Sequence, residues 1–188
     1  MPLARELPLP ISEIEYLEGE KLATERHEYM NGKTYLMAGA SKRHNRIARN
    51  FITRLEPAAK QQGCEIYFSD MKVRVAKNTA YYYPDVVISC EPDESDDYCL
   101  EKPCLIIEIT SESTLRKDYM EKSLAYQSIS SLQAYLVVAQ DKPQIDMLIR
   151  SKEGDWQLKQ FDNLDGDIWL PCLDTQLEIA AIYSGLYI

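Results

Sequence analysis

The segment CLIIEIT, residues 104–110, places one glutamate in an otherwise apolar run. Unbroken apolar character over this length is typical of a strand buried on both faces, as in the centre of a mixed sheet. An ionised carboxylate at Glu108 cannot stay unpaired there, so it needs a hydrogen bond, an ion pair, a metal ion or a proton. The segment contains no basic residue, and the partner of Glu108 must therefore come from another part of the fold.

A second acid stands at the start of an apolar run in YYYPDVVIS, residues 81–89. Proline is tolerated at the first residue of a strand, so Pro84 marks a boundary and Asp85 lies at a strand end. Two neighbouring strands that each project one carboxylate form a minimal site for a hard cation such as Mg²⁺. The alternative, which spacing alone leaves open, is a pair of acids hydrogen-bonded to backbone donors or arginines.

The first part of the chain predicts a helix, a hairpin and a longer helix. Apolar residues recur at helical spacing over 11–22, and the Asn31-Gly32 dipeptide is a strong signal for a tight hairpin turn. A second helical pattern runs from Ser41, a suitable N-cap, to Lys60, and Gly63 lies just beyond its end.

The rest of the chain is mostly strand-like, with a helix predicted over 111–128 and another over 175–186. The predicted strands are CEIYFS, MKVRVA, DVVIS, PCLIIEIT, AYLVVAQ, QIDMLIR and WQLKQF. The order predicts an α+β fold with a helix inserted between the central strands of a mixed sheet. A length of 188 residues is most simply one domain, residues 1–188.

In the helix after Glu108, the residues Asp118, Lys122 and Tyr126 recur every four positions and share one face. One interpretation is an ordinary ion pair between Asp118 and Lys122, which contributes a few tenths of a kcal/mol. The other is that this face delivers an ammonium group to the two acids. A lysine there can orient an attacking water or stabilise charge that develops on a phosphorus-centred transition state.

The segment SKRHNRIARNFITR, residues 41–54, has several basic residues and no acid. Its cations make a local positive patch that suits phosphate contacts; the residues concerned are Lys42, Arg43, Arg46 and Arg49. The alternative is a solvated helix face balanced by the acidic loop EPDESDDY. We expect His44, in the same segment, to be a structural or supporting residue.

The bulk composition limits the possible partners and location of the chain. A net charge of −9, from 21 basic and 30 acidic residues, disfavours binding of a polyanion by the whole surface. The N-terminus is not a signal peptide and no apolar stretch approaches the ~20 residues of a membrane span, so we expect a cytoplasmic protein. Four of the five cysteines lie beside apolar residues and are predicted to be buried, reduced thiols: Cys64, Cys90, Cys104 and Cys172.

The motifs YPDVVIS, LIIEITSEST, RKDYMEKSLAY and AYLVV resemble a family of bacterial restriction endonucleases, a branch of the PD-(D/E)XK nuclease superfamily. The likeness covers roughly residues 11–162 and leaves a C-terminal strand and short helix, 163–188. It implies a restriction-endonuclease-like αβββαβ core and Mg²⁺-dependent hydrolysis of DNA phosphodiesters, with Mn²⁺ as a substitute metal.

The resemblance also assigns roles to individual residues. It implies that Asp85 and Glu108 are metal ligands and that Glu28 supports the site. The sequence departs from the superfamily pattern at Thr110, where the motif lysine normally stands. The branch that this chain resembles has a lysine on the following helix instead, here Lys122.

These observations lead to a predicted Mg²⁺-dependent DNA endonuclease that acts as a homodimer, since cutting both strands calls for two sites. A non-catalytic DNA-binding or protein-interaction module on a degenerate nuclease fold is the alternative, favoured by Thr110 and the acidic charge. A glycosidase with two carboxylates would explain Asp85 and Glu108 but leaves Lys122 without a role. The tyrosines Tyr81–Tyr83 are predicted to belong to the core or to a dimer interface rather than to stack on bases.

Overall fold

The N-terminal region of the computed structural model forms a helix and a hairpin, as predicted. The structure describes residues 10–37, 39–76, 79–91, 96–111 and 121–187. Helix α1 (Glu13–Leu22) begins with a capping box in which Ser12 and Glu15 bond reciprocally. Strands β1 (His27–Met30) and β2 (Lys33–Leu36) pair antiparallel. Between them Asn31 and Gly32 both have positive φ, 48° and 87°, which a type I′ turn requires.

Helix α2 (Lys42–Gln62) has the ends that the sequence predicts. The Ser41 hydroxyl accepts a hydrogen bond from the backbone N–H of His44 at 3.1 Å, and Gly63 ends the helix in the left-handed region at φ 69°. The buried face of α2 repeats every three or four residues; it consists of Ile47, Phe51, Leu55 and Ala59. This face covers one side of the main sheet.

The remaining elements follow in chain order. They are β3 (Glu65–Phe68), β4 (Lys72–Val75), β5 (Ala80–Tyr82), β6 (Val86–Ser89), β7 (Cys99–Leu100), β8 (Leu105–Thr110), α3 (Ser123–Gln127), β9 (Ala134–Ala139), β10 (Ile145–Arg150), β11 (Trp156–Phe161), β12 (Asp167–Leu170), a 3₁₀ turn (Pro171–Leu173), β13 (Thr175–Glu178) and α4 (Ile179–Ile182).

The main sheet has six strands in the order β11-β10-β9-β8-β6-β3. Strand β8 lies at its centre, antiparallel to β6 and parallel to β9, and all six of its residues are buried. The elements α2, β3, β6, β8, α3 and β9 therefore form the predicted αβββαβ core. The predicted mixed sheet and its central strand are confirmed.

Strands β4, β5 and β7 do not belong to the main sheet; they pair with the N-terminal hairpin in a second sheet, ordered β2-β1-β5-β4-β7. Apolar residues of this sheet, of α3 and of the main sheet form one cluster on the side opposite α2. Its largest members are Tyr82, Tyr126 and Tyr135, whose rings meet edge to face with centroids 5.2–5.4 Å apart.

The tyrosines Tyr81–Tyr83 are core residues, each at most 3% exposed. A dimer interface, the other location predicted for them, is excluded because they are already covered within the chain. The hydroxyl of Tyr83 donates to Glu20 at 3.0 Å and that of Tyr81 donates to Glu13 at 2.5 Å. Pairing with α1 therefore satisfies the polar ends of two of the three rings.

Three other predictions differ from the structure or lie outside it. The thiol prediction is wrong here, because Cys64 pairs with Cys90 and Cys104 with Cys172 as disulfides. The C-terminal helix is only Ile179–Ile182, since Thr175–Glu178 pairs with β12 as a strand. The first part of the helix predicted over 111–128 falls on residues 112–120, which lie outside the described residues. Among the helices that are described, none is both long and apolar enough to cross a bilayer.

The buried tyrosines make the fold sensitive to alkaline pH. Burial is the main cause that raises the pKa of six of them above the ordinary value of 10; these are Tyr16, Tyr81, Tyr82, Tyr83, Tyr126 and Tyr183. Above pH ~10 the unfolded chain releases these protons while the folded chain keeps them. Stability is therefore complete below pH ~10 and falls above it, by up to about 1.4 kcal/mol per pH unit for each tyrosine.

We expect the tyrosinate absorbance of these six residues to appear together with loss of the far-ultraviolet circular dichroism signal during a titration from pH 8 to 13. The chain has thirteen tyrosines, so at most the other seven can ionise before the protein unfolds. The absorbance of seven tyrosinates is therefore the largest signal expected from the folded chain. Ionisation of more than seven in a chain that is still folded would contradict this prediction.

Candidate active site

The buried carboxylate of Glu108 receives two donors from the helical segment that follows β8. Glu108 is 5% exposed, and its Oε1 lies 3.0 Å from Lys122 Nζ and 3.0 Å from the hydroxyl of Tyr126. Burial, followed by the charge of Glu108, raises the pKa of Tyr126 well above its ordinary value, so the phenol keeps its proton and donates it. The partners of Glu108 thus come from another element.

Lys122 binds a second carboxylate as well. Its Nζ lies 2.6 Å from Oε1 of Glu28, which β1 of the second sheet provides, and 5.5 Å from the ring centroid of Tyr82. Lys122 is 5% exposed and Glu28 is 7% exposed. One ammonium group therefore bridges two carboxylates that belong to different sheets. In a buried environment each of these charges depends on the others.

Asp85 lies just before β6, next to the central strand. Its Oδ2 accepts the backbone N–H of Ile109 at 2.6 Å, and its Oδ1 lies 2.9 Å from His44 Nε2. Strand β6 pairs with β8 so that Val86 is opposite Ile107, and this register continued by one residue puts Asp85 across from Glu108. The two acids are thus brought to the same end of adjacent strands.

His44 stands in the first turn of α2 and is oriented toward Asp85. Its side chain is 18% exposed, like that of Asp85. The other ring nitrogen, Nδ1, is buried and has no hydrogen-bond partner among the described residues. Asp85 therefore holds one ring nitrogen of His44, and the capped first turn of α2 holds the backbone of His44 in place.

Thr110 occupies the position of the usual motif lysine and is only 1% exposed. Within the described part of the chain its hydroxyl oxygen has no hydrogen-bond partner. Successive residues of a strand alternate between faces, so Thr110 lies on the face of β8 that also bears Glu108. The ammonium group at this face comes from Lys122 instead.

Two of the four predicted phosphate-binding residues line a cleft at this end of the sheet. Lys42 and Arg43 border a cavity of about 420 Å³ together with Ser41, Gln140 and Asp141. The backbone N–H of Gln140 donates to the Thr110 carbonyl at 3.0 Å, which joins the cleft to the end of β8.

The other two predicted phosphate-binding residues are placed differently. The guanidinium of Arg46 donates to the carbonyl of Gly185 at 3.0 Å and so connects α2 to the C-terminal segment. Arg49 is exposed further along the same helix. Arg46 is thus engaged in a structural contact, whereas Lys42 and Arg43 border the cleft.

The sequence patterns did not indicate two residues of the site, and one predicted site residue lies outside the described part of the chain. Asp118 lies outside the described residues. The cleft residues Gln140 and Asp141 were missed, although they directly follow β9. Because β9 is parallel to β8, the carboxyl ends of both strands meet at one edge of the sheet, and this topology is the signal that could have found them.

An αβββαβ core that presents acids at the ends of adjacent strands defines a protein with the restriction-endonuclease-like fold. The sequence model of the Uma2 family, described as "Putative restriction endonuclease", matches residues 13–181, and the chain belongs to this family. The predicted family resemblance and fold class are therefore confirmed.

Curated relatives occur in Synechocystis sp. (strain ATCC 27184 / PCC 6803 / Kazusa). The chain is 33% identical to "Uncharacterized protein slr1290" over 181 residues, 95% of each chain. It is also 33% identical to "Uncharacterized protein sll1609" over 157 residues, which are 82% of this chain and 89% of that protein.

A crystal structure from Anabaena variabilis ATCC 29413, of "a putative nuclease belonging to DUF820", has a similar fold. The TM-score is 0.75 at 17% sequence identity, over 93% of this chain and 98% of that one. At this level of identity the likeness concerns the fold alone.

Replacing Lys122 with methionine tests how far the two carboxylates depend on the ammonium group. We expect Lys122→Met to lower the free energy of unfolding by about 3 kcal/mol or more, because two buried acids lose their shared cation. Urea unfolding followed by circular dichroism measures the change.

Lys102→Met is the matched control for this substitution. Lys102 pairs with Glu91 at 3.3 Å, but the two side chains are 53% and 59% exposed. Such a surface pair contributes less than about 1 kcal/mol. Equal losses in the two variants would contradict the proposed dependence of the buried acids on Lys122.

Proposed function

We propose that the chain is a Mg²⁺-dependent endonuclease that hydrolyses DNA phosphodiester bonds, with Asp85 and Glu108 as metal ligands and Lys122 beside the reacting phosphate. The observation that carries this proposal is the contact of the Lys122 ammonium with Glu108 at 3.0 Å. It supplies, from the helical segment, the cation that Thr110 cannot supply from the strand.

The carboxylates suit a hard cation. A carboxylate has about four acceptor positions, and among the described residues Asp85 uses one at each oxygen, for Ile109 and for His44. Mg²⁺ prefers such oxygen ligands and is commonly held by one or two carboxylates. When bound, it would supply Lewis-acid polarisation of the phosphate and activation of a water molecule.

The other side chains position these groups. Tyr126 and Lys122 fix Glu108 by donating to the same oxygen, and His44 with the Ile109 amide fixes both oxygens of Asp85. The ammonium of Lys122 contacts both Glu108 and Glu28, and its positive charge is suited to orienting a water or to stabilising negative charge on a pentavalent phosphorus. Glu28 keeps the lysine at the site.

DNA cleavage is the direct test of this proposal. We expect the wild-type chain to nick supercoiled DNA with Mg²⁺ or Mn²⁺ and not with EDTA, and Asp85→Asn or Glu108→Gln to reduce the rate roughly 100-fold or more. Both substitutions keep the side-chain shape, and circular dichroism checks that the variants fold.

Asp146→Asn serves as the matched control because Asp146 is also buried, at 8% exposure, but pairs with Gln160 in the β10–β11 region. It should nick DNA like the wild type. The proposal would be refuted if the wild type showed no metal-dependent nicking across varied DNA. It would also be refuted if the Asp85 and Glu108 variants nicked DNA as fast as the wild type.

The competing proposal is a non-catalytic DNA-binding or interaction module, which Thr110 and the net charge of −9 favour. Calorimetric titration with Mn²⁺ separates the two. A working site should bind Mn²⁺ and lose that binding in Asp85→Asn, while a degenerate site should bind none.

We also propose that Lys42 and Arg43, which border the cleft, contact DNA phosphates. We expect Lys42→Ala/Arg43→Ala to weaken DNA binding and to reduce the slope of log K against log salt by up to about 2, since each phosphate contact contributes about 0.9. Fluorescence anisotropy in EDTA measures binding without cleavage.

The control for this double variant is Lys60→Ala, in the last turn of α2, where Lys60 pairs with Glu56 at 3.0 Å. An equal change in the control would show that only overall charge matters.

The proposal includes a homodimer, since cutting both strands calls for two such sites, and sedimentation with and without DNA tests it.

A further inference from the structure

A group of four cysteines lies at the other end of the two strands that bear the acids. Cys90 directly follows β6 and Cys104 directly precedes β8, whereas Asp85 and Glu108 lie toward the opposite ends of these strands. Cys64 precedes β3, the neighbour of β6, and Cys172 lies in the 3₁₀ turn after β12. Four distant parts of the sequence thus bring their sulfur atoms together.

The two disulfides of this group touch each other. Sγ of Cys90, bonded to Cys64, lies 3.4 Å from Sγ of Cys104, bonded to Cys172. The sulfurs of Cys90, Cys104 and Cys172 all lie within 4.8 Å of one another. Two independent structural disulfides would not need this contact, whereas exchange between disulfides requires it.

The exposure of the four cysteine residues differs in a way that gives the group a direction. Cys64 and Cys104 are buried, at 6% and 5% exposure, while Cys90 and Cys172 are half-buried. An external thiol therefore reaches Cys90 more readily than Cys104. Cys90 in turn is the sulfur that contacts Cys104.

We propose that the four cysteines form a thiol–disulfide exchange site that takes electrons from an external dithiol through Cys90. A thiolate of the dithiol attacks Sγ of Cys90, the Cys64–Cys90 bond breaks, and its electron pair leaves on Cys64. The second thiol of the reductant then displaces Cys90 as a thiolate and closes the disulfide of the reductant. This step moves two electrons and leaves Cys64 and Cys90 reduced.

The reduced Cys90 next attacks its neighbour. Its thiolate forms a bond with Sγ of Cys104, the Cys104–Cys172 bond breaks, and the electron pair leaves on Cys172, which takes up a proton. This exchange breaks one disulfide and forms another, with no net change in oxidation. Its product is the non-original pair Cys90–Cys104, with Cys64 and Cys172 as thiols.

The predicted product makes the site testable by chemical trapping. We expect limited reduction of the oxidised chain with dithiothreitol, followed by acid quenching, alkylation and peptide mass mapping, to yield a Cys90–Cys104 peptide. In Cys64→Ser, where Cys90 has no original partner, the same pair should form without reductant, in a mixture with Cys104–Cys172. Cys90→Ser should contain Cys104–Cys172 alone.

Cys99→Ser is the matched control, because Cys99 is a buried cysteine outside both disulfides; it should give the wild-type mapping pattern. Appearance of the Cys90–Cys104 pair in the wild type and in Cys64→Ser supports the exchange site. Two results would overturn it: independent reduction of both disulfides with no Cys90–Cys104 peptide, or a purified chain with one equivalent of zinc on the thiolates and no disulfide. Neither result depends on nuclease activity.

Discussion

The ion pair between Lys122 and Glu108 is the interaction on which the rest of the structure depends. A carboxylate at the centre of a fully buried strand is tolerated only with a compensating charge, and the lysine is equally costly without the acid. This requirement fixes the helical segment above the sheet, since its lysine and tyrosine both reach one carboxylate oxygen. Replacing a buried ion pair with well-packed aliphatic residues is often neutral or stabilising, and the proposed catalytic function supplies a reason other than stability for these charges.

The strands β6 and β8 connect two regions of different chemistry. At one end lie hard oxygen donors and nitrogen cations, and at the other lie soft sulfur atoms. Both regions rest on the same hydrogen-bonded ladder, which is buried throughout. A slip of one residue in β8 would turn Glu108 to the opposite face of the sheet, away from Lys122. The geometry of the acids is thus held by two paired strands that are buried along their whole length.

Most of the fold could be predicted from local sequence patterns, whereas the contacts between distant segments could not. The ends of α2 follow from Ser41 and Gly63, and the position of β8 follows from its apolar run, because capping and burial are encoded within a few residues. The spacing of Thr175–Glu178 suits a helix as well as a strand, and only the pairing of this segment with β12 decides between them.

The same distinction applies to the site and to the cysteines. The need of Glu108 for a distant partner could be inferred from its own segment, and Lys122 was a candidate from its helical spacing. Two other features depend on how distant segments pack, which sequence spacing does not specify. They are the contact of His44 with Asp85 and the two disulfides, whose cysteines are separated by 26 residues in one case and by 68 in the other. The second sheet provides a further case. Because Glu28 belongs to it and Glu108 to the main sheet, the site lies at a seam, and any sliding of one sheet over the other would change its charge balance.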